Sequence, residues 1–167
     1  LYRLDPDGSI RPVVEGVDVP NGMGFTPDRR RLYVTESEAS AIYRYDYDQA
    51  TGALSNRETF VDAEDETGIP DGMTVDAEGY VWSAYWDGGC LVRYDPTGRE
   101  VARVEFPARK VSAVTFGGPA YTDCYVTTAL GPAAADGTEH VTDAAAVRET
   151  EGDGAGALFR LATGVVG

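Results

Sequence analysis

Pro20-Asn21-Gly22-Met23-Gly24-Phe25 runs on to Leu32-Tyr33-Val34-Thr35, and the phrase returns as Pro70-Asp71-Gly72-Met73-Thr74-Val75, running on to Val81-Trp82-Ser83-Ala84. The offset between Asn21 and Asp71 is 50 residues, an interval at which self-similarity marks stacked or radial repeats. Because the copies share a frame, Asn21 and Asp71 are expected at the same place in consecutive repeats. An amide oxygen and a carboxylate converging on an axis are hard-oxygen ligands for a divalent cation. Asn or Asp before Gly is also common in turns, where the side chain bonds its own backbone, so the motif alone leaves both readings open.

Outward from these phrases, strand signals recur at short intervals between Gly, Pro, Asp and Asn. An alternating aromatic, basic and apolar strand ending in Asp appears at Leu1 to Asp5, Ile42 to Asp46 and Leu91 to Asp95, and less fully at Leu158 to Leu161. Turns with Gly follow at Gly8, Gly52 and Gly98, and then further strands at Arg11 to Val14, Glu58 to Val61 and Val101 to Phe106. Each unit reads as four short antiparallel strands, the innermost beginning after Asn-Gly-Met or Asp-Gly-Met. Four strands every ~40–50 residues is the spacing of a β-propeller blade. The all-β chain divides into an outer half-blade (1–15), two blades (16–66 and 67–107) and a last blade (108–167) with an inserted loop (130–156). In the last blade Val111-Ser112 replaces the Pro-Asn/Asp-Gly phrase and offers no equivalent ligand. About three and a half blades leave inner edges unpaired, so the chain is read as part of a longer protein or as an incompletely represented ring.

Net charge is −14, with 28 acidic and 14 basic residues, and Lys110 is the one lysine. That balance repels nucleic acid and anionic membrane surfaces. It suits a solvated, self-repelling surface or a salt-rich cytoplasm where repulsion is screened; no calcium-loop pattern is present. No apolar run approaches the ~18 residues of a membrane span. Cys90 and Cys124 lie among β-forming residues and read as buried thiols, which points to a cytoplasmic setting. In the inserted segment a short helix is expected over Thr142 to Thr150, capped by Thr142 or Asp143. His140, the sole histidine, has no nucleophile beside it in sequence and is read as a surface residue.

The ordered series of motifs resembles the senescence marker protein/gluconolactonase/luciferin-regenerating enzyme family (regucalcin-like sugar lactonases). It rests on both Gly-Met phrases with their second strands, Asp76-Ala77-Glu78-Gly79, Gly88-Gly89, Tyr45-Asp46-Tyr47-Asp48, Phe116-Gly117-Gly118, Tyr125-Val126-Thr127 and Gly156-Ala157-Leu158-Phe159. The resemblance implies a six-bladed propeller of which this chain is the C-terminal part. It also implies hydrolysis of sugar lactones with one divalent cation in the central channel. By matching motifs, Asn21 and Asp71 would be metal ligands, with a third ligand, a Glu, in a blade outside this chain. Activity is therefore expected of the whole ring and not of this segment alone.

The implied chemistry suits these residues. A cation polarises the lactone carbonyl and acidifies water; Asn21 gives a neutral oxygen, and Asp71 can bind through one oxygen and accept a proton with the other, making it the candidate catalytic base. Glycines at 22 and 72 are read as permitting the turn that aims each side chain inward. Trp86 is a candidate substrate contact, with packing as the competing reading; Glu36, Ser37 and Glu38 are ambiguous in the same way. Calcium, zinc, manganese, magnesium and iron(II) all suit two oxygen ligands. A non-catalytic calcium- or ligand-binding propeller and a protein-binding scaffold are the alternatives.

Overall fold

The computed structural model describes residues 1–131 and 144–167, and within them the architecture is a series of antiparallel sheets. Strands β1 (Tyr2–Leu4) and β2 (Ile10–Pro12) form a hairpin. A four-stranded sheet follows, β3 (Pro20–Phe25), β4 (Arg31–Glu36), β5 (Ala41–Tyr47) and β6 (Leu54–Asp62), in sequence order. The next has the same order: β7 (Ile69–Val75), β8 (Val81–Trp86), β9 (Cys90–Tyr94) and β10 (Glu100–Glu105). The last sheet is β11 (Val111–Gly117), β12 (Asp123–Thr128) and β13 (Leu158–Ala162), with helix α1 (Ala144–Glu151) between β12 and β13. The first strands of the three larger sheets lie side by side, β3 against β7 and β7 against β11. The sheets do not close, and the chain is an incomplete β-propeller. The expected caps of the helix, Thr142 and Asp143, and His140 lie outside the described residues.

Alternation along the second strands explains the stacking. A strand sends successive side chains to opposite faces, and here both faces are covered. Leu32 and Val34 enter a core with Val14 and Tyr45, whereas Tyr33 between them enters a core with Ile42, Met73, Val81 and Tyr85. One blade on, Val81 and Tyr85 face that second core, and Trp82 and Ala84 face a third with Val111, Val114, Phe116 and Val126. Each four-stranded sheet is thus held between two apolar layers, and its middle strands read as near-continuous hydrophobic runs. Cys90 and Cys124 are free and buried in these layers.

Two expectations are corrected here. The innermost strands begin at Pro20 and Ile69 and contain the Gly-Met phrases instead of following them. Nor do Gly22 and Gly72 serve a left-handed turn, since neither has a positive φ. A Cβ on Gly22 would lie 2.3 Å from the Met73 amide nitrogen, and one on Gly72 would lie 2.7 Å from the Ser112 carbonyl oxygen. These glycines allow the backbones of neighbouring blades to touch, a close approach that any side chain would block.

Asn21 and Asp71 sit on β-bulges. Pairing of β3 with β4 slips between Pro20 and Met23, that of β7 with β8 between Pro70 and Met73, and that of β11 with β12 between Val111 and Ala113. A bulge adds an unpaired residue, bends the strand and re-aims a side chain. The same device recurs in three consecutive blades, at Asn21, Asp71 and Ser112.

Candidate functional site

Register makes the three blades superimposable at this end. Pro20 pairs with Glu36, Pro70 with Tyr85 and Val111 with Thr128. One residue before these are Val19, Ile69 and Lys110; one residue beyond are Asn21, Asp71 and Ser112. The partners' next residues are Ser37, Trp86 and Ala129. Backbone bonds from Ser37 N to Val19 O and from Ala129 N to Lys110 O, and the pairing of Ile69 with Trp86, support the correspondence.

A cavity of about 250 Å³ opens between the first two of these blades, lined by Val19, Asn21, Ser37, Ile69, Asp71 and Trp86. Its walls are three pairs of equivalent positions: Val19 with Ile69, Asn21 with Asp71, and Ser37 with Trp86. The structure thus brings Asn21, Asp71 and Trp86 to one place. Ser37, left ambiguous by sequence, belongs with them. It is buried, accepts a hydrogen bond from Asn21 Nδ2 at 3.2 Å and donates one to the Pro70 carbonyl at 2.8 Å. The Asn21 side chain is thereby tied to Ser37, and it also hydrogen-bonds with Asp71. Ser37 also ties the Asn21 blade to the Asp71 blade.

Glu36 and Glu38 do not join the site. Glu36 is buried and accepts from the amides of Val19 and Ala39, which makes it a brace for the loop entering β3. Glu38 is exposed. In the third blade Ser112 occupies the bulge with a hydroxyl, 2.9 Å from Thr127 Oγ1, in place of an amide or carboxylate.

The electrostatics single out Asp71. It is half-buried, and desolvation raises its pKa above the ordinary 3.8, opposed by smaller contributions from hydrogen bonds with Asn21 and the Gly72 amide. Among the described residues no Lys or Arg forms an ion pair with it. A carboxylate placed half out of water without a counter-charge is a costly arrangement, and a bound cation removes the cost. The donors fit such an ion: a carboxylate and an amide oxygen are hard ligands on neighbouring strands. They form part of a site only, because among the described residues no group of three or more His, Cys, Asp or Glu side chains is placed to hold a metal.

Comparison with known proteins bears on these residues. The family model described as the SMP-30/Gluconolactonase/LRE-like region matches residues 1–130. The chain is similar to the pentonolactonase XacC of Haloferax volcanii, with 52% identity over 167 residues, covering 100% of this chain and 55% of that protein. It is 42% identical to regucalcin of Danio rerio over 130 residues, 77% of this chain and 44% of that one. Among solved structures, regucalcin from Agrobacterium tumefaciens, described as a calcium-binding protein, superposes with a TM-score of 0.84 at 29% identity. That match covers 99% of this chain and 52% of the other. The chain therefore spans about half the length of the curated relatives it matches.

Proposed function

The chain belongs to the SMP-30/gluconolactonase/LRE-like family, and from that premise we propose that the intact protein hydrolyses sugar lactones with one divalent cation held in part by Asn21 and Asp71. One observation carries the reading. Equivalent bulges of adjacent blades aim an amide and an unpaired, half-buried carboxylate into one cavity. The names pentonolactonase and gluconolactonase among relatives supply the substrate class. The six-bladed ring, the blade boundaries given above and a third ligand from the rest of the ring are parts of the same proposal.

A divalent cation bound there supplies Lewis acidity to the lactone carbonyl. The residues of this chain then have separate tasks. Ser37 holds the Asn21 amide in place through its hydroxyl. Asp71 would hold the ion together with Asn21, and its carboxylate is placed to take the proton of the attacking water. Water adds to the carbonyl carbon, the ring C–O bond breaks, and the proton returns to the departing oxygen, giving the open hydroxy acid. Trp86 walls the cavity on the Asp71 side, where its ring can cover the apolar face of a sugar. A cytoplasmic setting belongs to the same reading and is supported by two free, buried thiols; among the described residues no helix is long and apolar enough to cross a membrane.

The test is lactone hydrolysis by the intact protein, followed by pH-stat with added cation, with chelator and with Asp71→Asn. We expect both chelation and the substitution to lower kcat/KM by about 10³-fold, the scale of a lost base and Lewis acid. Undiminished turnover in either sample would overturn the reading. A bound cation with no hydrolysis across a panel of lactones would favour the non-catalytic calcium-binding alternative.

A further inference from the structure

Lys110 occupies, in the third blade, the position that Val19 and Ile69 hold in the first two. There the apolar wall residue has become a long cation. It does not point into water: its side chain is 4% exposed. Its ammonium lies 2.5 Å from Glu151 Oε2 and 3.3 Å from Asp87 Oδ1. Both acids are fixed in turn. Glu151 is buried at the end of α1, and its carbonyl accepts from the Arg109 amide at 2.7 Å. Asp87, directly after Trp86, is held in a left-handed conformation (φ 61°) and pairs with Arg109 at 3.0 Å.

The same ammonium stands over the Trp86 ring, 5.7 Å from its centroid. A cation at that distance is drawn to the indole face. Among the described residues, Trp86 is the one aromatic lining the Asn21/Asp71 cavity. A buried Lys–Glu pair is seldom a net source of stability, so its place behind a cavity wall asks for another account.

We propose that Lys110 is a positioning residue for the candidate site: held by Glu151 and Asp87, it fixes the Trp86 indole against the cavity so that the ring presents a set face to the substrate. The sugar-lactone identity of that substrate rests on the function proposed above. On this account, α1 reaches the site through one ion pair, by way of Glu151 and Lys110.

The intact protein tests this with Lys110→Met, Lys110→Arg, Trp86→Leu and the paired replacement Lys110→Met/Glu151→Leu, which leaves no unpaired buried charge should Lys110→Met fail to fold. We expect loss of the cation to raise KM about fivefold with kcat within about twofold, the size of one cation–aromatic contact expressed in binding. Lys110→Arg should restore KM, and in the Trp86→Leu background the same replacement should add nothing. An unchanged KM in a folded cation-less variant overturns the proposal, as does an undiminished rise in KM without Trp86. A second readout needs no turnover: the ¹⁹F resonance of Trp86 in 5-fluorotryptophan-labelled protein should move in Lys110→Met/Glu151→Leu and return in Lys110→Arg. If the intact protein opens no lactone, the function reading fails while this resonance still decides the proposal. A resonance that stays in place overturns it.

Discussion

Two aspartates mark the two ends of strand β7, and they live under different rules. Asp76, immediately after the strand, is fully buried and surrounded by donors. It accepts from the amides of Glu78 and Tyr80, from Trp82 Nε1 at 2.9 Å, and from Arg93 through Nε at 3.0 Å and Nη2 at 2.6 Å. Asp71, near the start, is only half-buried, yet among the described residues its partners are the Asn21 side chain and the Gly72 amide. The more buried carboxylate is the more satisfied one. Asp76 closes a hairpin and pins β8 and β9 to it, whereas Asp71 is left wanting charge. What separates the two acids here is the partner list, not the depth.

The contrast can be broken most severely at Asp76. Asp76→Ala leaves Arg93 and the Trp82 indole without their acceptor, and loss of one member of a buried pair costs about 3–5 kcal/mol. We expect the denaturation midpoint of the intact protein to fall accordingly, while Asp71→Ala leaves it nearly unchanged. Equal losses from the two substitutions would remove the distinction.

Gly72→Ala probes the close approach beside Asp71. The new methyl would meet the Ser112 carbonyl oxygen at 2.7 Å and the Ala113 Cα at 2.8 Å, both backbone atoms that cannot swing away. Overpacking of this kind costs about 1–3 kcal/mol, so a measurable drop in melting temperature is expected. A control at Gly8, where a Cβ meets nothing within 4 Å but φ is 85°, should show only backbone strain. A Gly72→Ala protein as stable as the parent would mean that the blades do not touch there.

The smallest effect sharpens the comparison through pH. Because the folded state raises the Asp71 pKa, it prefers the neutral acid. The contribution to stability is complete below the ordinary value of 3.8 and is lost as pH rises through the raised native value. In chelator, Asp71→Asn should therefore melt slightly above the parent at neutral pH, and the two curves should merge below about pH 3.8. Added divalent cation should invert the order, since it binds the folded parent.

The repeat was legible because it is written twice in nearly the same letters, each copy followed by the β-forming run of a second strand. Asn21, Asp71 and Trp86 were also within reach of sequence, and the structure gathers them around one cavity. Ser37 was named beside Glu36 and Glu38, with no means of choosing among the three. The first strands repeat with an offset of 50 residues, but the second strands repeat with 49, because the connecting hairpins differ in length. The register sets Ser37 where Trp86 stands, and its bonds to Asn21 and the Pro70 carbonyl single it out from its neighbours. Lys110 was aligned through Val111-Ser112, but its burial against Glu151 and the Trp86 ring is a tertiary fact that no local pattern carries. The glycines were located correctly and explained wrongly: a sequence shows that no side chain is there, but not whether a turn or a neighbour forbids it.

The account's central claim is that Asp71, unlike Asp76, is left unpaired for a cation. Calorimetric titration of the intact, folded protein with calcium, and in parallel with zinc and manganese, tests it most directly when the parent and Asp71→Asn are compared. We expect at least one of these ions to bind the parent at a single site and to lose about 100-fold or more in affinity in Asp71→Asn, as removal of a charged ligand requires. Equal affinity in the two proteins would contradict the account.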